Sequence, residues 1–190
     1  MNLSKRLDLI ELKISDKNFL TGRGTVGEVN FWVFDYLPED EMAVRDFVQN
    51  LTNKINNRED DLRIRHLDLY SLMVEILREK NYLDKVIKME KSKGSTAVIN
   101  PLKRTLRLTE NSDLIIKKII EDIVPQKDII FLTGVGKAWP IIRSHTILNN
   151  LHNRVDKNPL VMFFPGEYTS ELKLFGEITD DNYYRAFKLV

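Results

Sequence analysis

Apolar residues along the chain follow two rhythms. Leu3, Leu7, Ile10 and Ile14 recur at helical spacing, with Asn2 or Ser4 placed to cap, so residues 3–14 read as an amphipathic helix. Residues 29–36 (VNFWVFDY) are too continuously apolar for a half-wet strand and suggest a central strand covered on both faces. Pro38 and the three acids after it then open a second helix, because proline suits the first helical positions and carboxylates favour the positive helix end. Val44, Phe47, Val48, Leu51 and Ile55 line one face of that helix. Residues 62–69 alternate, with Leu62, Ile64 and Leu67 set against Arg63 and Arg65, which suits an edge strand or a strand with one wet face.

From Leu69 the period is helical again. Leu69, Leu72, Met73, Ile76 and Leu77 form one stripe, and Tyr82, Leu83, Val86 and Ile87 form another. Gly94 breaks the run, and Pro101 interrupts the segment that continues to Leu108. Asn111-Ser-Asp113 can cap a helix whose Ile116, Ile119, Ile120 and Ile123 face the core, with Pro125 just beyond its end. Residues 128–132 and 160–164 are short buried strands, the second ending at Pro165-Gly166, and a helix is expected over 139–151. Residues 172–178 and 183–189 read as two further strand-like segments. Asp181-Asn182 could form a hairpin turn between them, though without the preferred Asn-Gly pair. The whole pattern predicts one α/β domain over residues 1–190, with a largely parallel central sheet flanked by helices and an antiparallel C-terminal edge. Its layering would be Rossmann-like or P-loop-NTPase-like.

Composition narrows the function classes. A chain of 190 residues buries roughly 70% of its extended surface and needs no disulfide staple. It has no Cys, which removes thiolate chemistry and Cys-based zinc sites. No apolar run approaches the roughly 18–20 residues of a membrane span, and the N-terminus lacks an apolar signal core, so a cytoplasmic protein without a membrane contact is expected. Net charge is +1, which makes no general case for nucleic-acid binding. The distribution is less even: residues 38–61 hold seven acids to three bases, and residues 78–107 nine bases to three acids. Each stretch could attract a partner or simply be a solvated helix face.

The candidate chemistry centres on residues 132–145 (LTGVGKAWPIIRSH), where a strand meets two glycines, a lysine and a helix start. Small residues there expose backbone N–H groups, and Lys137 adds a mobile cation. The spacing fails a Walker A loop, since one residue separates Gly134 from Gly136 and Ala138 stands where a Mg²⁺-binding hydroxyl belongs. A dinucleotide fingerprint fails as well, at Trp139. Ligands of parallel sheets sit beyond the carboxyl ends of the strands, where three loops are expected to meet. These carry Asp35, Glu39 and Asp40; Thr133, Gly134, Gly136, Lys137 and Trp139; and Glu167 and Tyr168. Arg143 and His145 follow in the expected helix, where Arg143 could pair with Asp35, Glu167 or Asp181. Gly22, Gly24 and Gly27 mark a loop that reads as a connector. The histidines are His66, His145 and His152, and the last two are too far apart in a helix to chelate one metal ion. No G-x-S-x-G elbow supplies a nucleophile, and nothing fixes the separation of the acids. Trp139, Tyr168 and Tyr183-Tyr184 lie at element ends, where aromatic residues often anchor interfaces.

Several of these segments occur together in one order: FDYxPEDExxVR at 34–45, FLTGVG at 131–136, WPxxRSHxxLNNL at 139–151, FFPGxY at 163–168, LFG at 174–176 and DNYYRAF at 181–187. In that combination the chain resembles the BrxB family, the small B component of the bacteriophage-exclusion (BREX) defence system of bacteria and archaea. The resemblance spans nearly the whole chain and is weakest in the basic helical middle. It implies a role in a multi-protein system that methylates host DNA and blocks phage replication, beside a methyltransferase, a large AAA-like ATPase and an alkaline-phosphatase-superfamily protein called PglZ. It implies no catalytic residue and no metal motif. The positions that look shared are Asp35, Pro38, Glu39, Asp40, Arg45, Gly134, Gly136, Arg143, His145, Pro165, Gly166, Tyr168 and Arg185. The expectation is therefore a non-enzymatic adaptor that binds the PglZ-like protein or the ATPase and takes no cofactor. The interface candidates are the loop residues above with Arg45, Tyr184 and Arg185. A degenerate nucleotide- or phosphate-binding domain, which could be an enzyme, is the first alternative. A DNA-binding accessory protein, acting through residues 78–107, is the second.

Overall fold

The computed structural model describes residues 1–21, 30–59, 61–108, 112–152, 154–155, 157–169, 171–179 and 186–190. The apolar run near residue 30 becomes strand β1 (Phe31–Tyr36), and the alternating run becomes β2 (Arg63–Asp68). β3 (Asp128–Thr133) and β4 (Leu160–Tyr168) follow, then the short strands β5 (Leu172–Leu174), β6 (Ile178–Thr179) and β7 (Phe187–Lys188). The sheet order is β2-β3-β4-β1-β7, with every one of these neighbours parallel. β5 and β6 extend β4 in antiparallel fashion.

Helices cover both faces, as continuously apolar parallel strands require. On one face lie α1 (Leu3–Ile14), α2 (Lys17–Thr21) and, after a 3₁₀ turn at Pro38–Asp40, α3 (Glu41–Asn56). Their Ile10, Ile14, Val44, Val48 and Ile55 pack with Phe34, Phe131 and Phe163 of the sheet. The opposite face carries α4 (Leu69–Glu79), α5 (Leu83–Lys93), α6 (Ser95–Leu106), α7 (Leu114–Ile120), α8 (Val135–Ala138) and α9 (Ser144–Leu151). There Leu69, Ile76, Leu102, Ile116 and Leu148 pack with Phe31, Ile130, Leu132 and Phe164. Caps fall where polar residues allow: Asn2 accepts from the Lys5 N–H, and Asp113 from those of Ile115 and Ile116.

Four expectations change. The helix expected over 139–151 begins only at Ser144, with a separate short helix over Val135–Ala138 before it, because Pro140 disfavours a helical conformation in the residue before it and Trp139 is extended at φ −68°, ψ 142°. Arg143 is thus the extended N-cap residue of α9, outside the helix. β4 does not stop at Pro165-Gly166 but runs to Tyr168, held there by β5, with the Phe175 N–H donating to the Pro165 carbonyl at 2.8 Å. Residues 172–178 are not one strand; they turn back at Phe175 and Gly176, both at positive φ, to form the β5–β6 hairpin. Asp181-Asn182 and the Gly22–Gly24–Gly27 loop lie outside the described residues, but the two C-terminal segments do not form the expected hairpin: β6 pairs with β5, and β7 pairs in parallel with β1. No described helix is long and apolar enough to cross a membrane.

Candidate functional site

At the carboxyl ends of β2 and β3 the glycine loop closes on an acid that the sequence reading passed over. Asp68 ends β2 and N-caps α4, accepting from the Ser71 N–H and hydroxyl at 2.9 Å each. Its other carboxylate oxygen takes Lys137 Nζ at 2.6 Å, and the Thr133 hydroxyl stands at 3.4 Å. Thr133 in turn meets His66 Nε2 at 2.8 Å. Gly134 turns the chain at φ +73°, and a Cβ there would lie 2.5 Å from the Asp68 carboxylate. Glycine is needed at this position for both reasons. Gly136 lets the next turn approach Phe175 and Pro165; a Cβ there would lie 2.8 Å from the Phe175 ring.

The electrostatics follow from these contacts. Burial works against ionising Asp68, but Lys137 and Ser71 outweigh it and hold the carboxyl below its ordinary range. Burial also pushes His66 below its usual value. The Asp68 carboxylate therefore lies against Gly134 of the loop and pairs with Lys137, the cation that follows it.

A second acid sits three strands away. Asp35 on β1 takes Arg6 at 2.6 Å, Lys188 at 2.8 Å and the Tyr168 N–H at 3.1 Å. Burial again opposes ionisation, and Lys188, the Tyr168 amide and Arg6 together lower the carboxyl. Tyr168 completes the junction by donating its hydroxyl proton to the Ala186 carbonyl at 2.5 Å. The partners of Asp35 are thus Arg6 and Lys188, not Arg143.

The remaining candidates divide. Arg45 pairs with Glu41 at 2.9 Å, and Glu41 also accepts from the Tyr36 hydroxyl at 2.6 Å, so the start of α3 is tied to the end of β1. Glu39 is exposed and Asp40 partly so, both in the 3₁₀ turn. Glu167 is exposed opposite Lys173 in the β4–β5 register. Arg143 lines a different cavity, of about 100 Å³, with Lys103, Leu108, Ile142 and Thr146, and His145 is half-buried in the first turn of α9. Tyr184 and Arg185, like Asp181 and Tyr183, lie outside the described residues.

Beyond Trp139, which the sequence already marked as an interface aromatic, the structure adds an apolar rim. Leu37 follows β1, Met42 and Tyr70 lie in the first turns of α3 and α4, Trp139 follows α8, and Phe175 packs on the glycine loop. All five come soon after the carboxyl end of a parallel strand or in the hairpin beyond β4, and all are exposed, by 38% to 61%. Lys137 stands 6.0 Å from the Tyr70 ring centroid. Each of these residues is an unremarkable surface hydrophobe alone; only the topology gathers them at one end.

Fold and site together define a class: a parallel α/β domain whose glycine loop packs against an Asp68–Lys137 ion pair, with exposed apolar side chains nearby. Known proteins agree with the sequence motifs. A family model described as "BREX protein BrxB" matches residues 65–189. A "BREX protein BrxB" of Bacillus cereus (strain H3081.97) is 53% identical over 189 residues, covering 99% of this chain and 97% of that protein. Another of that description from Escherichia coli O9:H4 (strain HS) is 32% identical, over 99% of this chain and 92% of that protein. No solved structure shows a significant match. The chain belongs to the BrxB family.

Proposed function

We propose that this protein is a non-enzymatic adaptor of a BREX phage-defence system, docking another BREX protein through the carboxyl-end face of its sheet. The observation that carries the reading is the Asp68–Lys137 pair at 2.6 Å over Gly134, which leaves the phosphate-like loop internally neutralised. The exposed Leu37, Met42, Tyr70, Trp139 and Phe175 around it supply the apolar and aromatic anchors that protein interfaces concentrate. Family membership and the two relatives support work beside other BREX proteins, and the resemblance names the PglZ-like component or the large ATPase as the partner.

The test is direct. Mixing the purified protein with each component gives co-elution with one of them on size exclusion, and combined Tyr70→Ala, Trp139→Ala and Phe175→Ala substitution abolishes it while the fold is kept. Co-elution with neither component, or a triple variant that still co-elutes, defeats the reading. ATP, GTP and phosphate with Mg²⁺ leave thermal stability unchanged at millimolar concentration. A ligand present at its Kd would add about 0.4 kcal/mol and at 100 times its Kd about 2.7 kcal/mol, so tight occupancy of the loop would show clearly.

A further inference from the structure

The basic stretch that the docking face does not use has its own geometry. α5 and α6 lie against each other on the outside of one helical layer, joined at Gly94. α5 turns Leu83, Val86 and Met89 toward the core, and α6 buries Val98, Leu102 and Leu106. Lys85, Lys88 and Lys91 are therefore left at three-residue spacing along the solvent side of α5, with exposed Arg104 and Arg107 at the end of α6. Three residues of helix rise about 4.5 Å, so the α5 lysines form a near-continuous positive stripe.

Many bases elsewhere are paired, though among the described residues some, such as exposed Lys5 and Lys157, are not; what marks this stretch is that several unpaired bases lie together. Arg6, Arg45, Lys54, Arg58, Arg63, Lys118, Lys127, Lys137 and Lys188 all hold an acid within 4.0 Å. Among the described residues no base between 78 and 107 appears in any such pair. Of the three acids in that span, Glu79 is spent on Lys118 at 2.7 Å, Glu90 accepts from Ser95 at 2.7 Å, and Asp84 is exposed in the first turn of α5, leaving the stretch strongly positive. Lys85 packs over the Tyr82 ring at 4.9 Å, which leaves its charge uncancelled. The bases on α5 are all lysines, mobile point charges suited to a diffuse polyanion, not the planar forks that fix single carboxylates. The exposed apolar residues here are Tyr82 and Ile87, too few for the broad apolar face by which an interfacial helix enters a membrane.

We infer that the α5–α6 hairpin binds the phosphate backbone of duplex nucleic acid, without base specificity, on a surface separate from the docking face. Contacts to about four phosphates give a slope of about −3 to −4 for log K against log salt concentration. The inference does not depend on the adaptor reading, since none of its residues belongs to the apolar rim.

Fluorescence anisotropy with a labelled duplex DNA of about 20 base pairs, titrated from about 50 to 200 mM salt, tests it. Binding with that slope is expected for the intact protein. The K85E/K88E/K91E variant should bind at least about tenfold more weakly and lose about 3 from the slope. The K5E/K157E variant, altered at exposed lysines elsewhere, should bind as the intact protein does. If charge reversal disturbs the circular-dichroism spectrum, K85Q/K88Q/K91Q replaces it with the same expectation. No anisotropy change at low salt overturns the inference. So does unaltered binding by the triple variant, displacement of DNA by polyglutamate at equal charge, or binding to phosphatidylserine vesicles but not to DNA.

Discussion

Asp35 and Asp68 sit at or next to the carboxyl ends of two strands of one sheet, and each has a lysine within 2.8 Å. Their surroundings nevertheless give them different work. Asp35 gathers residues from far apart in the chain, Arg6, Tyr168 and Lys188, and its side chain is 9% exposed. Asp68 caps the helix that begins beside it and reaches Lys137 of one loop, at 19% exposure. Both carboxyls are held below their ordinary range in spite of burial. The first is a clasp that fastens α1, β4 and β7 to the central strand. The second is a local tie, joining the start of α4 to the glycine loop through Lys137.

Substitutions can break this contrast. The largest effect is expected for Asp35→Ala, which removes the acceptor shared by Arg6, Lys188 and the Tyr168 amide. Urea denaturation should show a loss of about 3 kcal/mol. The same change should flatten the acid limb of stability. With its folded value lowered, Asp35 contributes fully above its ordinary 3.8 and loses that contribution as pH falls below it. Asp113, raised chiefly by burial, has the opposite sign and gains as pH falls through its raised value.

Gly134→Ala comes next, at about 2 kcal/mol, from the positive φ and the clash with Asp68 together. Placed on an Asp68→Ala background it should cost only about 1 kcal/mol, because the clash is gone and the backbone term remains. Asp68→Ala by itself should cost about 1 kcal/mol through the lost cap. Unlike the intact protein, that variant should gain thermal stability from millimolar phosphate; if it does not, the pairing with Asp68 is not what neutralises the loop. The smallest effect concerns His66. Since its folded value lies below 6.5, the unfolded chain takes up the proton first and stability falls as pH drops below that value. His66→Gln should remove this slope between pH 7 and 5, by a fraction of a kcal/mol on thermal melts.

Much of the fold was legible because local pattern and global role agree. The continuous apolar run of β1, the stripes of α3 and α4 and the break at Gly94 all follow from burial. Pro140 was in plain view, yet the apolar spacing of Ile141, Ile147 and Leu148 masked its effect on Trp139. A strand was expected within 183–189, but the parallel pairing of β7 with β1, through only Phe187 and Lys188, leaves no local signal. Of the site, the glycine loop and the meeting of Asp35 with Tyr168 followed from fold class. Asp68 was hidden because its role depends on a contact with Lys137 in another loop. An Asp three residues before Ser71 at a helix start was the available signal, but it marks a cap and nothing more.

The position of β1 bears on how the chain is made. It is an early strand, yet it lies between β4 and β7, and its Asp35 waits for Tyr168, 133 residues further along. During synthesis the α1–α3 layer can emerge beside a strand reading FWVF whose neighbours do not yet exist. Pairing at such separation is slow, and an unpaired apolar strand is prone to associate with other chains. Growing chains should therefore need chaperone cover over β1 until β4 has left the ribosome, while the finished protein does not.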